Sequence, residues 1–280
     1  MIKSMAWFPL QCALNSKPVI EAFSYSLGKL GIKFVENSLD CDSLLIWSVL
    51  WSGRMRPNRE IFNIYRSSDR PVVIIEVGNL KRNLTWRVSI NHITTQGYYG
   101  HQQNLDFDRP NKLGVSLSQK TKSNGKILIA AQHKDSLQLA GIDQESWIDS
   151  KIKEINQYTD RSIVIRPHPR SNLNFTRITS KHEKDIALRI PNSYDDFNID
   201  YNYHAVVNYS SGPGVQAGIS GTSVVVNPVS LAYPISNNII DIDQPKHIDK
   251  QPWLVEICHT EYTVDEIREG RWYTRLQDRL

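Results

Sequence analysis

Three short stretches in the second half of this sequence concentrate residue types that grip anions. The first is Arg166-Pro167-His168-Pro169-Arg170, directly after the apolar run Ile163–Ile165. Each arginine offers paired N–H donors that match a phosphate, and the prolines stiffen the turn that carries them. A surface loop with incidental charge is the plainer explanation. The second is Ser210-Ser211-Gly212-Pro213-Gly214, which opens a helical stretch after a strand ending at Asn208. Two hydroxyls and the unbonded N–H groups of a helix start would face whatever sits there, and the helix dipole favours negative charge. The stretch is neither a Walker loop nor a dinucleotide fingerprint, and tight packing alone would also call for its glycines. The third is Gln132-His133-Lys134-Asp135-Ser136. His133 there is a candidate acid/base or phosphate donor, with Gln132 and Asp135 beside it; an exposed loop histidine is the alternative.

These stretches act together only if one sheet holds them, because open α/β sheets bind ligands beyond the carboxyl ends of their strands. The sequence supplies such strands. In the first half, Pro18–Leu30 has helical spacing (Ile20, Phe23, Leu27, Leu30) and is closed by Gly31. Strands follow at 31–36 and Ser43–Trp51, then an amphipathic helix over Asn58–Ser68 and a β-branched strand over Pro71–Gly78. A polar stretch, Gln102–Gly125, reads as a link between domains. The rhythm then restarts. Lys126–Gln132 is a strand and Glu145–Thr159 a helix capped by Asp143 or Ser146. Arg161–Arg170 is a strand running into the proline loop, Ala187–Pro191 a short strand, and His204–Gly212 a strand into the Ser/Gly turn. A short helix, the strand Thr222–Pro228 and a helical C-terminus with a capping pattern at Thr263–Glu266 complete the chain. The predicted class is α/β, with an open sheet covered by helices in each half of the chain.

Composition narrows the classes. With 280 residues, 40% hydrophobic and 22% charged, the chain is long and apolar enough for a buried core and unlike a disordered one. No apolar run approaches the roughly 20 residues that span a bilayer, and the N-terminus lacks a signal-peptide pattern. Three scattered cysteines (Cys12, Cys41, Cys258) fit a reducing cytoplasm and offer no metal-ligand spacing. The net charge is +4, yet Trp51–Ile90 holds eight basic and three acidic residues, so that segment is +5 and the remainder −1. A basic first half suits a polyanion, although a solvated surface has the same signature.

The strand ending in RPHP, followed by SSGPGVQAGISGTSVVVNP, resembles the C-terminal half of GT-B glycosyltransferases, especially the capsule-polysaccharide and Kdo-transferase-like group. The likeness covers roughly residues 125–230. The stretch from Leu44 to Arg82 resembles bacteriophage-encoded glycosyltransferases that decorate hypermodified DNA bases. The resemblance implies a donor-phosphate site at Arg166, His168, Arg170, Ser210, Ser211 and Gly212, with Gln132, Asp135 and Gly214 lining it. It implies two Rossmann-like domains facing across a cleft, 1–120 and 121–264, with a C-terminal helix, 265–280, returning to the first; it also implies a UDP-type nucleotide-sugar donor, no further cofactor and no obligatory metal. A transferase must also take a proton from its acceptor. Glu76, at the end of an apolar strand with Gly78 just beyond to let backbone or ligand come close, is the first choice, with His133 as second catalytic candidate. Pairing with Arg82 or Arg87 explains Glu76 equally well, and Asp106, Asp108, His92 and His101 are alternatives. Trp51, Arg54, Arg56, Arg59 and Arg82 are the expected acceptor residues, since aromatics among arginines stack on bases or line sugar pockets. The leading expectation is transfer to a hydroxymethylated pyrimidine in duplex DNA, with no membrane partner and a cytoplasmic location, that of the host if the chain is phage-encoded. A saccharide acceptor, a non-catalytic nucleotide- or DNA-binding module and a sugar-nucleotide 2-epimerase are the alternatives.

Overall fold

Strands and helices alternate through both halves of the computed structural model, which describes residues 2–13, 15–119, 123–185 and 201–280. In chain order the elements are β1 (Ser4–Trp7), α1 (Lys17–Lys29), β2 (Lys33–Glu36), β3 (Ser43–Trp47), α2 (Asn58–Ser67), β4 (Val72–Val77), β5 (Trp86–Ile90) and α3 (Arg109–Lys112). Next come β6 (Ile127–Ala130), α4 (Gln144–Ile155), β7 (Ile163–Arg166), β8 (Glu183–Lys184), β9 (Ala205–Asn208), α5 (Gly212–Ile219) and β10 (Ser223–Val226). The chain closes with α6 (Gln251–Cys258), β11 (Glu261–Tyr262), α7 (Val264–Arg268) and α8 (Arg271–Leu276). The strand expected at Ala187–Pro191 lies outside the described residues.

Two units divide the chain. The first is Met1–Val115 with Val255–Leu280, the second Ser116–Leu254. The sequence reading put these divisions at 120 and 264. The difference arises from β11, a two-residue strand that pairs antiparallel to β5 through Glu261↔Arg87 and Tyr262↔Trp86 and so joins the first sheet. Two residues carry no periodicity to read.

The first unit's sheet runs β11-β5-β4-β3-β1-β2, with β2, β1, β3 and β4 parallel. The helix α1 lays Val19, Ile20, Phe23 and Leu27 on it. It ends as a Schellman motif: Ile32 N–H reaches Leu27 O at 3.0 Å and Gly31 N–H reaches Gly28 O at 3.1 Å. Gly31 sits at φ +72°, a conformation glycine adopts without a Cβ penalty. The C-terminal stretch, predicted as one helix, is split in two by Gly270 at φ +82°. The capping box at its start forms as expected, with Thr263 and Glu266 exchanging hydrogen bonds. Trp272 is fully buried against Phe23 and donates to Ser26 Oγ at 3.2 Å. Buried Arg109 donates to Cys258 O, Glu261 O and both Glu266 oxygens, which fastens the C-terminal segment to α3.

The second unit's sheet is β10-β9-β6-β7-β8, parallel throughout. Its central strands are apolar on both faces, as a doubly covered parallel sheet requires. Ile127, Ile129, Ile163 and Ile165 meet Ile148, Ile152 and Ile155 of α4. Asp143 caps α4 by accepting from Ser146 N–H.

Candidate functional site

The register of the second sheet decides where the three anion-gripping stretches lie. Ala130 at the end of β6 is level with Arg166 of β7 on one side and Asn208 of β9 on the other. The three following loops therefore leave at one edge, the carboxyl edge at which open parallel sheets bind ligands.

Side chains then tie the loops together. Gln132, 3% exposed, accepts from Ser210 N at 3.1 Å and Ser210 Oγ at 3.4 Å and donates to Ser136 Oγ at 3.2 Å. His133 is buried, its ring edge-on to that of His168 with centroids 5.2 Å apart, and it hydrogen-bonds the Arg170 backbone. Burial pushes its imidazole below the ordinary histidine range. Asp135 N donates to His133 Nδ1 at 3.2 Å. Lys134 N donates to Ser171 Oγ, and Arg170 N to His168 Nδ1, both at 3.1 Å. Asn208, wholly buried, donates to Ala130 O and to Ser211 Oγ and accepts from Ser211 N.

Ser211 is the N-cap residue of α5, and its hydroxyl makes no cap bond; Gly212 is the first helical residue. The positive end of this helix thus sits at the edge that also carries the proline loop with its exposed Arg170, the loop after β6 lying between them. Gly214 is buried, and a Cβ there would meet Val226 Cγ1 at 3.0 Å and Asn208 Oδ1 at 3.5 Å, so its missing side chain serves packing. Arg166 is placed differently from the expected phosphate clamp. Its Nε and Nη2 hold Asp185 at 2.7 Å, Tyr203 lies against the guanidinium, and buried Nη1 has no partner. Among the described residues no group of His, Cys, Asp or Glu is arranged to hold a metal ion.

In the first unit, half-buried Glu76 is the last residue but one of β4, and its Oε1 accepts from Ser48 Oγ at 2.7 Å and Val49 N at 3.0 Å. Ser48 sits at φ +66°, an unusual backbone for a residue with a side chain. Arg87 is level with Glu76 on β5. Gly78 lets backbone come close: a Cβ there would strike the Thr85 carbonyl and hydroxyl and the Glu261 carboxylate. Wholly buried Glu261 accepts from Asn79 N at 2.6 Å, Leu80 N at 3.2 Å and Thr85 Oγ1 at 2.7 Å, and burial raises its carboxyl above the ordinary range. The alternative acids and histidines have partners of their own: Asp106 and Asp108 meet Lys112, His101 meets Asp278, and His92 meets Thr94. Trp51, Arg56 and Arg59 line one open groove of about 680 Å³ along α2, together with Glu60, Asn63 and Ile64. Arg54, in a 3-10 turn at Gly53–Met55, and Arg82, between β4 and β5, are not among its lining residues.

Sequence reasoning left out Asn208, Ser171 and Ser48 as supporting residues. Asn208 and Ser48 had a readable signal, since one ends a buried apolar strand and the other directly follows one, where an unpaired side chain would be costly.

No protein-family model matches the sequence, and no curated protein is detectably similar to it. In structure the chain is similar to the β-Kdo 2,4 transferase of Thermosulfurimonas dismutans KpsC, with a TM-score of 0.57 and 11% identity, covering 96% of this chain and 98% of that one. It is also similar to the β-Kdo 2,7 transferase of the same protein, with a TM-score of 0.53 and 14% identity, covering 95% and 97%. Likeness at such identities is likeness of fold: the chain is an α/β protein of two Rossmann-like units, of the GT-B type.

Proposed function

We propose that this protein is a glycosyltransferase that holds a nucleotide sugar of the UDP type at the carboxyl edge of its second sheet and passes the sugar to a saccharide hydroxyl. The observation that carries this reading is the lacing of the loops after β6, β7 and β9 through Gln132, His133 and Lys134. Such cross-ties hold donors in place before any ligand arrives, and preorganised donors are what stabilise a departing anion. In the reaction the acceptor oxygen bonds to the anomeric carbon while the bond from that carbon to the diphosphate breaks. The N-terminus of α5 and Arg170 take up the charge left on the nucleotide. Glu76 accepts the proton of the acceptor hydroxyl, held for that task by Ser48 and Val49. Structural similarity to two Kdo transferases supports a saccharide acceptor.

A DNA acceptor is favoured by one feature, the groove that sets Trp51 beside Arg56 and Arg59. Incubating the protein with a panel of nucleotide sugars, acid-containing and neutral oligosaccharides, and hydroxymethylated duplexes separates the two. Transfer to a saccharide with untouched duplexes is the expected result. Transfer only to duplex DNA establishes the second reading, and nucleotide binding with no transfer to any acceptor removes both.

A further inference from the structure

The basic segment of the first unit is not accounted for by donor chemistry, and its position in the fold suggests what it meets. β1, β3 and β4 are neighbouring parallel strands, so the loops that follow them leave one edge, within about 10 Å of each other at the sheet. The loop after β1 raises Leu10, 84% exposed, on a 3-10 turn at Pro9–Gln11. That turn packs on the turn Gly53–Met55 after β3, and Asn58 Nδ2 of α2 donates to Gln11 O. The second turn and the start of α2 expose Arg54, Arg56 and Arg59. The hairpin after β4 carries half-buried Lys81 and Arg82 and then Leu84, 62% exposed. None of the three loops, residues 8–16, 48–57 and 78–85, contains an aspartate or glutamate.

A single exposed leucine means nothing on a protein surface. Two of them, on acid-free loops with Arg54 and Arg56 between and Glu60 the exposed acid beside Arg59, are a different matter. Nucleic acid rewards the cations but takes up aliphatic side chains only as wedges between the base steps of a kinked duplex. An anionic bilayer rewards both, since its headgroups attract Lys and Arg while short apolar side chains enter the acyl boundary. We propose that this edge of the first unit docks on the surface of a membrane rich in anionic phospholipid. The expectation of no membrane partner rested on the lack of a spanning run, and surface docking needs none. The inference stands on these loops, one of which, 48–57, also holds Glu76 through Ser48 and Val49, so the docked edge adjoins the proposed acceptor side.

Co-sedimentation with vesicles tests it, using phosphatidylcholine mixed with phosphatidylglycerol and phosphatidylcholine alone. The protein should pellet with the mixed vesicles, be released by salt, and stay in solution with the neutral ones. Removing both Arg54 and Arg56 (R54A/R56A) should weaken partitioning about 25-fold, at about five-fold for each cation. Leu10→Asp with Leu84→Asp should weaken it about ten-fold or more. All four side chains are exposed, so the variants should melt as the wild type does. Equal binding of neutral vesicles, no binding of either kind, or full binding by the leucine variant overturns the proposal. So does tight binding of a DNA duplex that the leucine variant retains, which would assign the edge to nucleic acid.

Discussion

Gln132 is the side chain through which the loop after β6 holds the loop after β9, and its removal has a calculable consequence. Substituting methionine keeps the volume and deletes both ends of the amide. The N–H of Ser210, a residue 7% exposed, then loses its acceptor at 3.1 Å. A buried donor left unmade costs about 1–3 kcal/mol, and the bond to Ser136 adds about 1 kcal/mol. The sum is about 2–4 kcal/mol, which lowers the melting temperature by roughly 5–10 °C. Ser136→Ala removes only the second bond and should cost about 1 kcal/mol or less. Thermal melts give the first readout and titration calorimetry with UDP the second. Affinity for UDP should fall with Gln132→Met, because the first turn of α5 is no longer held against the neighbouring loops. If Gln132→Met melts at the wild-type temperature and binds UDP as the wild type does, the lacing is not what positions the site.

Three further outcomes follow from the same geometry. Arg170→Ala removes an exposed cation from the shared edge and should raise the Kd for UDP about ten-fold or more, read by calorimetry at fixed salt. Glu76→Gln keeps an oxygen for Ser48 and Val49 but cannot take a proton; kcat should fall by about two orders of magnitude or more while UDP affinity stays constant, as steady-state kinetics and calorimetry would show. Asp143 is held down to about 2, from 3.8, first by Ser146 N–H and then by Arg177. Its folded value lies below its unfolded one, so its stabilisation is complete above about pH 4 and lost as the pH falls toward 2. Urea melts over that window should show the loss in the wild type and less of it in Asp143→Asn, which keeps the cap acceptor without the charge.

The sequence carried the repeated elements because their physics is local. Apolar residues at helical spacing gave α1, α2 and α4, and β-branched runs gave β4, β6, β7, β9 and β10. What it lacked depends on pairing partners far along the chain. β1 and β5 are short and pass for loop until neighbouring strands cover them, and β11 exists only because Arg87 and Trp86 accept it. The same division runs through the site. That the anion-gripping stretches follow strands was legible; that Arg166 would be taken by Asp185, and that Thr85 and Glu261 would be what closes on Gly78, was not. Both depend on contacts between distant segments, which composition and spacing do not encode. Gly214 illustrates the ambiguity of glycine in a turn: the residue that looks like room for a ligand is room for Val226.

A crystal structure with UDP bound is the most direct test of the central claim, that the carboxyl edge of the second sheet cages a diphosphate. The account predicts phosphate density between residues 167–171 and the first turn of α5, with backbone N–H of Gly212 and the Arg170 side chain among its partners. UDP bound away from both segments, or phosphates turned from that edge into solvent, would contradict it.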